Sequence, residues 1–153
     1  MTFLRAAIAI IAVEFLAGVT QADEPEAPPQ AGTYEVTFRL ELPHVEEWAV
    51  DKTTTICVPN AGGASAAPLP VLSGNNPLAT CPASNLRREG AMLTFDIRCP
   101  GRNAARARAV YTLMPGGFKG RIAMVMGAKN MTMTEVQAGR RIGSCDLASA
   151  PQD

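Results

Sequence analysis

Apolar and polar residues alternate along much of the chain. In "TYEVTFRLEL" (33–42), Tyr34, Val36, Phe38, Leu40 and Leu42 share one parity, and Glu35, Thr37, Arg39 and Glu41 share the other. That period of two predicts a half-buried β-strand. "TTTICV" (53–58) is rich in β-branched residues and predicts a second strand. "NLRREGAMLTFDIRC" predicts a hairpin turning near Glu89 and Gly90, with Leu93, Phe95, Ile97 and Cys99 on one side of its second arm. "AVYTLM" runs into the turn "PGG", "FKGRIAMVM" returns, and "MTMTEVQAGRRIG" forms a last arm.

These segments predict an all-β fold, a single antiparallel meander of about seven strands forming a curved sheet, a sandwich or a barrel. No segment has a sustained helical period, although "EEWAVD" or part of the 59–80 segment can form a single turn. "PNAGGASAAPLPVLSGNNPLAT" (59–80) reads as a long loop that buries little.

The N-terminus changes the picture of where the protein works. Arg5, the apolar run "AAIAIIAVEFLAGV" and the small residue Ala22 fit a secretory signal peptide over residues 1–22, cleaved before Asp23. The apolar run is short for a membrane span, so none is expected after cleavage. "DEPEAPPQAG" (23–32) reads as a disordered acidic leader, 33–146 as the domain, and 147–153 as a flexible tail. The expected location is periplasmic or secreted.

Cys57, Cys81, Cys99 and Cys145 all follow the leader, and an even count in an exported chain implies two disulfides. Four cysteines allow three connectivities. Chain order favours 57–81, which would staple the long loop for about 3 kcal/mol, together with 99–145. The rival is 81–99 across the hairpin with 57–145.

The chain is formally neutral, which argues against nucleic acid as a partner. The only histidine is His44, no C-x-x-C pair occurs, and no serine sits in a G-x-S-x-G motif. Glu46, Glu47, Asp96 and Glu135 are scattered rather than paired. No catalytic constellation is visible, and a non-enzyme is expected.

The stretch "MVMGAKNMTMT" (124–134) is the one candidate for metal chemistry. Thioethers are soft ligands that suit Cu(I). A turn at Ala128 and Lys129 would set Met126 opposite Met131 and Met124 opposite Met133, all on one face, with His44 as a possible nitrogen donor. The same parity carries Phe118 and Ile122, so the favoured reading is core filling, without a metal. Trp48 is expected to cover one end of the sheet. The basic runs "RREG" and "RNAARAR" read as solvated turns, and "GRRIGSC" as the segment that closes the sheet and places Cys145.

Taken together, "GTYEVTF", the "TICV" cysteine, "REGAMLTFDIRC", the methionine-alternating arms and the "GRRIGSC" ending resemble a widespread proteobacterial family of small periplasmic four-cysteine proteins, catalogued only as a domain of unknown function. The likeness spans roughly residues 31–146, with Tyr34 where members often carry tryptophan. It implies location and architecture, not mechanism. The expected function is a non-catalytic binding or accessory module of the cell envelope, acting on an envelope protein or an apolar ligand. The alternatives are a copper-handling protein and an apolar-ligand or lipid binder.

Overall fold

A computed structural model describes residues 29–59, 67–102, 104–127 and 131–145. The expected signal peptide, most of the leader, the turn at 128–129 and the 147–153 tail lie outside them. Seven strands form one open, curved antiparallel sheet. They are β1 (Gly32–Glu41), β2 (Lys52–Val58), β3 (Ala83–Glu89), β4 (Met92–Arg98), β5 (Arg106–Met114), β6 (Gly117–Met126) and β7 (Met131–Gly143). Short 3-10 turns at Glu46–Trp48 and Pro77–Thr80 complete the elements.

The strand order is β2-β1-β7-β6-β5-β4-β3. From β3 to β7 the chain is a simple meander. The last strand then pairs with the first, from Thr33 opposite Gly143 to Glu41 opposite Thr134. This long-range pairing makes β1 an interior strand, and the predicted alternation holds through Phe38 but not at its end, where Glu41 is buried and Leu42 exposed. Tyr34, Val36 and Phe38 are buried, whereas Glu35 and Thr37 point to solvent.

The inner face carries a row of aromatic rings. Phe95 stacks on Tyr111 at 5.9 Å, Tyr111 meets Phe118 edge-on at 5.7 Å, and Phe118 meets Tyr34 at 5.4 Å. Two of the rings lie over glycines of the next strand. Tyr111 is opposite Gly120, and Phe118 is opposite Gly139. A Cβ at either glycine would overlap the ring above it. Glycine at these positions therefore makes room for an aromatic to cover the strand.

The 59–80 segment departs from expectation. Its described part crosses the inner face, and Leu69, Val71 and Leu78 are core residues. A loop can enter a core only if its backbone polar groups find partners. β7 supplies them, as described below.

The disulfides join Cys57 to Cys145 and Cys81 to Cys99. The favoured pairing of 57–81 with 99–145 is thereby corrected in favour of its rival. The reason is strand pairing rather than chain order. Ala83 opposes Ile97, so the residues just outside the β3–β4 hairpin, Cys81 and Cys99, meet across its open end. Thr33 pairs with Cys57 on one side and with Gly143 on the other. The chain leaving β7 crosses the end of β1, where Ser144 accepts a hydrogen bond from the Thr33 hydroxyl, and reaches Cys57.

Candidate functional site

Each strand has an inward and an outward parity, and the two faces hold different chemistry. On β7 the inward parity begins with Met131 and Met133, passes through Glu135 and Gln137, and ends at Gly139. Glu135 and Gln137 are fully buried. The Glu135 carboxylate accepts the backbone N–H groups of Leu72 and Ser73, each at 2.8 Å, and a donor from Gln137. Gln137 also donates to the Pro70 carbonyl at 2.8 Å and accepts the Tyr111 hydroxyl at 2.9 Å. This buried network pins residues 70–73 onto the sheet. Burial pushes the Tyr111 hydroxyl well above its ordinary value, and the Glu135 charge adds to the shift. Its sequence signal was two polar residues on the apolar parity of "MTMTEVQAG".

The methionine hairpin has the expected register, with Met124 opposite Met133 and Met126 opposite Met131. Exposure rises along it, from Met124 at 1% through half-buried Met126 and Met133 to Met131 at 55%. Met124 belongs to the core, and its sulfur accepts a hydrogen bond from Asn76 at 3.1 Å. The sulfurs therefore do not form one open cluster: one is enclosed, and the most accessible pair is Met126 and Met131 at the hairpin tip. His44 is exposed in the turn after β1 with φ 69°, and its backbone N–H donates to Glu46. Trp48 covers no end of the sheet; it is 76% exposed, and its neighbour Val50 is exposed as well.

The outward face is rich in charge. Glu41 sits between Arg39 and Arg121, with ion-pair distances of 2.8 and 2.7 Å. Burial acts to raise its carboxyl, but hydrogen bonds from the two arginines outweigh it, and Glu41 lies below the ordinary 4.5. Arg140 pairs with Glu35 at 2.9 Å, and Arg141 donates to the Ala31 carbonyl, so "GRRIG" locks β7 to β1. Asp96 is held below its ordinary value, first by a hydrogen bond from Asn85 and then by Arg108. Glu35, Glu41, Asp96 and Glu135 are thus engaged by arginines, by Asn85 or by the loop.

One outward groove, of about 420 Å³, lies over β4 to β7. Arg98, Arg106 and Arg108 rim it, and Ala123, Val125 and Thr132 are among the residues along its floor. Among the described residues no group of three or more histidine, cysteine, aspartate or glutamate side chains could hold a metal, and no helix is long and apolar enough to cross a membrane.

Residues 29–145 match the family described as "Protein of unknown function (DUF3617)". That span is most of the chain, and the protein belongs to this family. No curated protein and no solved structure matches it. The two disulfides point to an oxidising compartment.

Proposed function

We propose that this DUF3617 chain is an exported, non-catalytic binding module of the cell envelope, and that its outward sheet face is the working surface. The observation that carries the reading is the pinned loop. Leu69, Val71 and Leu78 occupy the inner face, and Glu135 and Gln137 hold the loop there. An inner face filled by the chain's own residues serves stability, which leaves the outward face for partners. Two further features support the reading. Glu35, Glu41, Asp96 and Glu135 on the sheet are ion-paired or hydrogen-bonded rather than arranged as a catalytic pair. The disulfides and the N-terminal pattern fit export to the periplasm.

The test places a photo-crosslinking residue at Val110, exposed on the outward face of β5, or at Ala79, exposed on the segment covering the inner face. In intact cells Val110 is expected to give a discrete adduct with an envelope component and Ala79 none. Adducts from Ala79 alone, or a protein retained in the cytoplasm with reactive thiols, would overturn the reading.

A further inference from the structure

Arg98 on β4 and Arg106 on β5 are direct cross-strand partners on the outward face. Like charges directly opposite one another disfavour strand pairing. Neither is in an ion pair among the described residues, although the next pair on the same face, Asp96 with Arg108, is a well-formed one at 3.0 Å. Among the described residues, Asp96 is the only acid lining the groove. Its two oxygens are already taken, one by Arg108 and the other by Asn85 at 2.8 Å. Three guanidiniums face one carboxylate, a surplus of two positive charges.

The floor beside them is apolar or small. Arg106 opposes Val125, and Val125 opposes Thr132, so the row from Arg98 crosses onto short side chains that leave the groove open. A paired guanidinium fork matches the geometry of a phosphate dianion. A free ion would need no apolar floor; a phosphate attached to an apolar body would use both parts.

We infer that this groove binds the phosphate headgroup of an anionic lipid, one molecule at a time, with Arg98 and Arg106 on the phosphate and the acyl part along Ala123 and Val125. The inference rests on the outward face being the working surface and names what that surface takes. The "RNAARAR" run, which otherwise reads as a solvated turn, supplies Arg106 and Arg108 to the site.

The oxidised full chain is titrated with dihexanoyl phosphatidic acid below its micelle concentration, and in parallel with dihexanoyl phosphatidylcholine and with inorganic phosphate. Phosphatidic acid is expected to shift the amide resonances of β4, β5 and β6 and to bind about tenfold tighter than either comparator. The double variant Arg98→Ala/Arg106→Ala should lose about tenfold or more in affinity, and Arg98→Lys/Arg106→Lys, which keeps the charge but not the fork, should recover part of it. An unchanged near-UV spectrum confirms that these surface variants are folded. Equal binding of phosphatidylcholine, phosphate binding as tight as phosphatidic acid, or undiminished binding by the alanine variant would each overturn the inference. If phosphatidic acid fails while the Val110 adduct persists, only the ligand assignment falls. If the adduct fails too, the choice of working face falls with it.

Discussion

At the residue scale, the fold depends on a few polar side chains placed where apolar ones would ordinarily go. Glu135 is the clearest. Replacing it with alanine strips the partners from two partly buried backbone N–H groups, and unsatisfied buried donors cost about 1–3 kcal/mol each. We predict that Glu135→Ala lowers stability by about 3 kcal/mol in urea denaturation. Glu41 gives a pH signature. Its folded value lies below the ordinary 4.5, so its contribution is complete above that value and disappears as pH falls through the folded one. Urea midpoints measured from pH 6 to pH 3 should therefore fall more steeply for the native protein than for Glu41→Gln. The two tyrosines have the opposite sense. Tyr34 and Tyr111 are both raised by burial, so stability is lost as pH climbs above the ordinary 10, with tyrosinate absorbance appearing together with unfolding.

At the element scale, glycines under aromatic rings and cysteines at hairpin ends set what each strand tolerates. Gly120→Ala would drive a methyl into the Tyr111 ring and Gly139→Ala into the Phe118 ring. Each should cost about 1–3 kcal/mol, read as a lowered Tm, because overpacking forces rings off their preferred rotamers. The methionines grade the same way. Met124→Ala should cost about 2–5 kcal/mol as a core truncation, while Met131→Leu at the exposed tip should stay within about 1.5 kcal/mol. Of the disulfides, 57–145 encloses the longer loop, with a sequence separation of 88 against 18. Its removal should cost about 4–5 kcal/mol and that of 81–99 about 3 kcal/mol, and peptide mapping under non-reducing conditions checks the pairing directly.

The strands themselves were legible because a period of two survives wherever one face is buried, as in β1 and β4. The pairing of β1 with β7 was not, since nothing local in either strand names a partner a hundred residues away. The disulfide pairing failed for that same reason: Cys57 reaches Cys145 only because β1 lies between their strands. The loop over the inner face was hidden by its composition. Gly, Ala and Pro suggest solvent, and the partners that let the backbone be buried sit on β7. The outward arginine pair was visible as residues but not as neighbours, because the register of β4 against β5 decides that Arg98 and Arg106 meet.

At the scale of the whole molecule, the two faces have separate tasks. The inner face is an aromatic core roofed by the chain's own loop, and the outward face carries arginines around an open groove. Everything proposed about function depends on that roof being fixed rather than a transient cover. The most direct measurement is amide hydrogen exchange at Leu72 and Ser73, whose N–H groups are held by Glu135. Both are expected to exchange only through global unfolding, with protection close to that of core strand amides such as Ala109 and Ile122. Exchange at the rate of an exposed loop in the native state would mean that the inner face opens freely and is not reserved for stability.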